Sequence, residues 1–225
     1  MMKKLLLTTA ALLTMSVTAH ADSYYDHYPN NSTKNTMNNH YPTAQNEGKV
    51  SPLSGVYLGA YGGYGWTNAD LTGGADADID GGDYGVFAGY SLDTLLDHTI
   101  GMGINGSLEA FYGWSNADGS SGGVDYQKNN DWGVSFRPGI SFVQDYTMGL
   151  KPYGILGYRR AEFENSTAGV SNSDWHNGFE LGVGTEVIAY GNVGVRLDYS
   201  HVWYDAKNGI DPEENNLRLG VGYHF

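Results

Sequence analysis

The sequence predicts an all-β chain, an eight-stranded antiparallel up-and-down transmembrane β-barrel, and three observations predict it. From residue 55 onward, apolar and polar or small residues alternate with a period of two through eight segments. Five tryptophans fall at one end of those segments, all in the phase of the apolar face. The connections between segments alternate between short and long, as they do in outer-membrane barrels.

The start of the chain is set apart before the fold is read. Lys3 and Lys4 precede an apolar run from Leu5 to Val17, too short to cross a bilayer as a helix, and Ala19-His20-Ala21 supplies the small-x-small pattern of a cleavage site. Residues 1–21 therefore read as a signal peptide. Residues 22–54, rich in Asn, Ser, Thr, Tyr and Pro without periodicity, read as a disordered Asn-rich periplasmic leader. Residues 55–225 form the barrel domain. The leader repeats a short pattern, Asp26-His27-Tyr28-Pro29-Asn30 and Asn39-His40-Tyr41-Pro42-Thr43, which biased composition explains without a metal or haem.

Composition narrows the class. A mean hydropathy of −0.39 excludes a bundle of membrane helices but suits a barrel, in which only alternate residues face lipid. A formal charge of −13 disfavours nucleic acid as a partner. The chain has no cysteine, so no disulfide framework and no lipid-modified cysteine is available to it.

The segments follow in order. Val56 to Trp66 sets Val56, Leu58, Ala60, Tyr64 and Trp66 against Tyr57, Gly59, Tyr61, Gly63 and Gly65. Asp83 to Leu92 sets Tyr84, Val86, Ala88 and Tyr90 against Asp83, Gly85, Phe87 and Gly89, and Thr99 to Ser115 sets Ile104, Leu108, Tyr112 and Trp114 against Asn105, Ser107, Glu109 and Gly113. In the fourth segment Trp132, Val134, Phe136 and Ile140 oppose Asp131, Ser135, Arg137 and Ser141. Lys151 to Phe163 is ambiguous because Arg159-Arg160 puts a charge on each face; the preferred phase turns Lys151 and Arg159 inward. Trp175 to Val187, Val193 to Trp203 and Asn216 to Phe225 restore the alternation, with Glu180, Glu186, Arg196, Asp198, Arg218 and His224 on the inner face. Short connections fall at 93–98, 144–149 and 190–192, and long polar loops at 67–82, 116–128, 164–174 and 204–215.

The tryptophans choose the barrel over a soluble sandwich, which also alternates. Trp66, Trp114 and Trp203 end segments running one way, and Trp132 and Trp175 begin segments running the other. A sandwich core would bury Trp mid-strand. An aromatic girdle puts it at the rim, because indole has an apolar body and an N–H that seeks the headgroup zone. Ten residues from Trp132 to Phe142, at ~3.3 Å rise and ~40° tilt, span roughly the 25 Å apolar band.

Three stretches carry a resemblance: Gly55-Val56-Tyr57-Leu58-Gly59-Ala60, Gly194-Val195-Arg196-Leu197-Asp198-Tyr199 and Leu217-Arg218-Leu219-Gly220-Val221-Gly222-Tyr223-His224-Phe225. Over residues 55–225 the chain resembles the small outer-membrane β-barrel proteins of the OmpA/OmpX-like and opacity-porin-like group. The resemblance implies the outer membrane of a Gram-negative bacterium with both termini periplasmic. It also implies an assembly signal in Leu219, Val221, Tyr223 and Phe225 that the barrel-assembly machinery reads. OmpA's peptidoglycan-binding domain has no counterpart before the last residue here.

Function is then argued from the inner face and the loops. Eight strands leave a lumen that side chains fill, and buried charges must be paired. Glu109, Arg137, Glu180, Glu186, Arg196, Asp198 and Arg218 are accordingly expected to form a charge network, with Glu109, Arg137, Glu180 and Asp198 at similar depth. Asp76-Ala77-Asp78-Ile79-Asp80-Gly81 begins like a calcium-binding EF-hand loop, but Phe87 stands where the twelfth-position acid belongs, so no metal site is expected. No cofactor is expected either. Lipid A deacylase barrels carry His-x-Ser on a strand, and here His201 and Ser200 take opposite faces, which argues against an enzyme. The expected role is structural or adhesion-type, with a lumen plugged by paired charges. Its partners would be outer-membrane lipid, lipopolysaccharide and a host or surface ligand bound through the loops. The alternative is a narrow porin-like channel for small solutes or ions.

Overall fold

The computed structural model describes residues 51, 53–71, 75–97, 101–144, 148–167, 170–189, 192–207 and 210–225. The expected signal peptide and nearly all of the leader lie outside the described residues. Among the described residues nine strands appear in chain order: β1 (Gly55–Leu71), β2 (Ala75–Asp97), β3 (Met102–Ser115), β4 (Asp118–Ser121), β5 (Val124–Gln144), β6 (Met148–Thr167), β7 (Val170–Ala189), β8 (Val193–Tyr204) and β9 (Ile210–His224). Eight of them form a ring. Antiparallel ladders join β1–β2, β2–β3, β3–β5, β5–β6, β6–β7, β7–β8 and β8–β9, and β1 pairs with β9 to close it. Closure removes both sheet edges, so no row of backbone donors faces lipid unpaired. The short β4 continues the line of β3 and folds back on β5 through Gly122-Gly123.

Period two holds along most of the ring, with ladder irregularities at Leu95–Asp97 on β2 and Lys128–Asp131 on β5, and sends the predicted faces the predicted way. Val56, Leu58, Val86, Ile104, Leu108, Phe136, Ile140, Leu181, Val195, Leu197 and Leu219 are exposed on the outside, while Tyr57, Tyr61, Phe87, Phe111 and Tyr153 are buried inside with the charged residues. On β6 the inner face carries Lys151, Tyr153, Ile155, Arg159, Ala161 and Phe163, which resolves the ambiguous segment.

The strands are longer than the alternation suggested. β2 has 23 residues, a contour of about 75 Å at ~3.3 Å per residue, far more than an apolar band of roughly 25 Å requires. All four expected long loops are therefore mostly strand. β1 and β2 stay in register to Leu71↔Ala75, β4 and β5 form a hairpin, and β6 and β7 pair up to Thr167↔Val170. In this extension the pattern turns inside out. Ala69, Ala77, Ile79, Ala161, Phe163 and Val202 point inward, and Asp70, Asp78, Asp80 and Asp125 point outward. The segment that resembled a calcium loop is ordinary strand within β2.

At the opposite end the chain enters β1 through a turn. Ser54 donates its backbone N–H to Ser51 O at 2.9 Å, and Leu53 is fully buried against Gly149, with its carbonyl accepting from Asn105 Nδ2 at 3.4 Å. Gly55 has a φ of 111°, open to glycine but strained for other residues, and a Cβ there would meet Phe225 O at 2.8 Å.

Candidate functional site in the barrel lumen

All seven residues of the expected charge network, Glu109, Arg137, Glu180, Glu186, Arg196, Asp198 and Arg218, are buried on the inner face. They form three groups rather than one. In the middle group Arg137 binds Glu109 at 2.8 Å and Asp198 at 2.8 Å, Arg196 forks onto both oxygens of Glu109, and Tyr153 Oη donates to Asp198 at 2.5 Å. Two arginines thus meet two carboxylates.

Glu180 belongs to the group above. It pairs with Arg159 at 2.6 Å, while Arg218 holds Asp83 at 2.6 Å and Asp131 at 3.1 Å. Lys128 reaches Glu214 at 2.6 Å and Asp131 at 3.2 Å, and Tyr204 Oη donates to Glu214 at 2.7 Å. Glu180 and Asp198 each lie five residues from their strand's tryptophan, Trp175 and Trp203, but such a count ignores barrel stagger. On the β7–β8 ladder Glu180 lies opposite Val202, whereas Asp198 lies opposite Gly184, four residues further along β7. Glu186 forms a third group with Lys151 at 2.8 Å and His224 Nε2 at 3.0 Å.

Sequence reasoning missed Asp83, Lys128, Asp131, Glu214 and His224 as members. Asp83, Asp131 and His224 were legible as inward-facing. Lys128 and Glu214 were hidden in stretches read as loop. A bulge between Lys128 and Asp131 makes the difference on β5: it inserts one residue into the ladder with β6, so two residues three apart both face the lumen.

Aromatic rings fill the space between the charges. Arg196 lies over Phe87 with 3.5 Å to the centroid, Arg218 over Tyr61 at 4.5 Å, and Arg159 over Phe111 at 4.9 Å. Inner-face glycines face those rings across the strands. A Cβ on Gly113 would collide with Tyr61 Oη and Asp131 Oδ1, so any larger residue there must push both groups aside. The void that Tyr61, Glu109, Arg137, Glu180, Asp198 and Arg218 border has about 10 Å³, room for one water at most. Above the charges lies an apolar cluster of Ala69, Ala77, Ile79, Ala117, Tyr126, Ala161, Phe163, Val202 and Tyr204. Phe163 packs edge-on between His176 and Tyr204, 5.4 Å from each.

Trp66, Trp114, Trp132, Trp175 and Trp203 all carry outward-phase side chains with aromatic or cationic neighbours. Trp114 stacks on Tyr84 at 5.8 Å and Trp203 on Phe179 at 6.2 Å, Trp132 meets Tyr158 at 6.0 Å, and Arg160 covers Trp175 at 5.3 Å. Leu219, Val221, Tyr223 and Phe225 are exposed on the outside at the end of β9, with Phe225 N–H donating to Val56 O at 2.9 Å. On the extension's outer surface, Asp118, Ser120, Asp125, Gln127, Glu164 and Ser166 line a cleft of about 230 Å³.

Solved structures similar to this chain include Ail, the attachment invasion locus protein of Yersinia pestis, at 18% identity over 76% of this chain and 99% of that one, with a TM-score of 0.40. Neisserial surface protein A is 17% identical over 76% and 98%, with a TM-score of 0.47. The outer membrane enzyme PagL is 18% identical over 76% and 99%, with a TM-score of 0.40. No curated protein sequence matches the chain. The profile of the outer membrane protein β-barrel domain matches residues 7–225, nearly the whole sequence, and the chain belongs to that family.

Proposed function

We propose that the protein is a closed outer-membrane barrel whose work is structural or adhesive and is done by the strand extension. The supporting observation is the filling of the lumen: three groups of paired charges, aromatic rings between them, and an apolar cap above. A polar ion path needs continuous water, and the void beside the middle group is too small to supply it. In this reading the tryptophan rim lies in the outer headgroup zone, both termini are periplasmic, and residues 22–54 are the leader that remains after the signal is removed. The extension then stands above the lipid as a rigid, outwardly acidic surface for a host or surface ligand. The protein is not an enzyme in this reading.

Planar-bilayer recordings of the refolded protein test the closed lumen: no stable conductance steps are expected, and robust wild-type conductance would establish a narrow channel instead. A binding assay on cells or matrix with the extension trimmed at 72–74 and 168–169 tests the adhesive role; loss of binding supports it, and retention rejects it. Leu219, Val221, Tyr223 and Phe225 are proposed as the signal read by the assembly machinery. Changing Tyr223 and Phe225 to Ser should cut membrane yield, and normal heat-modifiable migration would remove that assignment.

A further inference from the structure

Outside the lumen, a group of polar side chains stands on the lipid-facing surface at the tryptophan rim. Tyr199, His201 and Trp203 on β8 point outward, as do Glu213 and Asn215 on the adjacent β9. Asn215 Oδ1 accepts from Tyr199 Oη at 2.9 Å and lies 2.9 Å from His201 Nδ1. With its Oδ1 accepting from Tyr199, the Asn215 amide turns its NH₂ group to the other side as a donor. His201 Nε2 and the Glu213 carboxylate lie 3.6 Å apart, too far to bond each other directly. Aromatic rings bracket this notch. Trp203 is 4.3 Å from the His201 ring, with Phe179 stacked beyond it, and Trp66, paired with Asn215 across the ladder, lies 6.5 Å from Tyr199.

The notch offers a carboxylate acceptor beside an imidazole, one amide donor and flanking indole faces. Vicinal hydroxyls supply donors to the first and an acceptor to the second. The C–H face of a pyranose ring, slightly positive, suits the negative face of an indole. Phosphate is a poor match: it only accepts, Glu213 repels it, and no outward residue of β8 or β9 is Lys or Arg. We propose that this notch binds the sugar headgroup of a membrane glycolipid through its hydroxyl and amide groups. The proposal rests on the preceding reading only for placing the rim in the glycolipid-bearing leaflet. The notch faces lipid whichever way the barrel inserts, and its test does not involve conductance or adhesion.

The test uses the folded protein in detergent, checked by heat-modifiable migration and offered glycolipids while retention is read by native mass spectrometry. The probes are lipid A, dephosphorylated lipid A, phosphatidylethanolamine and free glucosamine disaccharide. Wild type should retain both forms of lipid A alike, at least tenfold over phosphatidylethanolamine, and bind the free disaccharide far more weakly. His201→Ala with Asn215→Ala should abolish that preference, and so should Asn215→Asp, which keeps the shape but loses the donor. Asn130→Ala, at the rim on β5, should leave it intact. Preference for the phosphorylated form alone, equal retention of phosphatidylethanolamine, free disaccharide binding as tightly as the lipid, or an unchanged preference in the notch variants would each overturn the proposal.

Discussion

Arg137 on β5 and Asp198 on β8 meet across the lumen at 2.8 Å, although three strand pairings separate them around the ring. Such a contact ties opposite walls together, which no ladder between neighbouring strands can do. Arg137→Ala should leave Glu109 and Asp198 sharing Arg196 alone and cost about 3 kcal/mol or more, because a buried carboxylate loses its partner. Urea unfolding of wild type and variant in the same detergent measures it. A midpoint shift worth less than about 1 kcal/mol would mean that the pair is not holding the barrel.

Gly113→Ala should overpack the lumen against Tyr61 and Asp131 and destabilise by about 1–3 kcal/mol. Tyr61→Phe removes the hydroxyl in the way, so the double variant should recover part of the loss. Strict additivity in the double-mutant cycle would show that Gly113 and Tyr61 do not share that space.

Phe163→Ala should destabilise the extension by about 3–5 kcal/mol, since it empties the centre of the apolar cap. The charged groups below keep their partners, so the damage should be local. Limited proteolysis should cut the extension of the variant faster while the remaining barrel fragment stays protected; cleavage throughout the barrel would contradict two separately stable layers.

Topology is open to labelling. Gly119 looks a natural site from sequence, but a side chain there would run into the Asp78 backbone, so Ser120, exposed beside it, is the better cysteine position. Ser120→Cys should react with an impermeant maleimide on intact cells and Asn192→Cys should not. The reverse result would invert the barrel and remove the girdle argument.

Much of this was legible because a barrel wall obeys one rule per residue. The phases of Tyr57, Glu109, Arg137, Asp198 and Arg218 follow from counting by two. Counting fails where the ladder slips, as at the Lys128–Asp131 bulge, since one inserted residue moves everything above it to the other face. It fails differently along Ala77-Asp78-Ile79-Asp80. Alternation is intact there but its sense is reversed, Ala77 and Ile79 inward and Asp78 and Asp80 outward, the sense expected of a wall bathed by water rather than lipid. A reader seeking apolar-out strands sees only an acidic loop. Depth was the least legible quantity: stagger between strands is a property of closure, and no single segment encodes it, which is why Glu180 was grouped with Asp198 instead of Arg159.

Leu53 gives the N-terminal segment a mechanical character. The chain reaches Gly55 from the barrel mouth, clasped by Asn105 and turned by a left-handed glycine, and β1 then runs between β2 and β9 with both ladders intact. Traction applied to the chain at Ser51 would meet the buried leucine first. It would then load the two ladders in shear along their length, many hydrogen bonds at once, rather than peeling them one by one. A strand entered this way resists load where one drawn sideways from its neighbour would unzip.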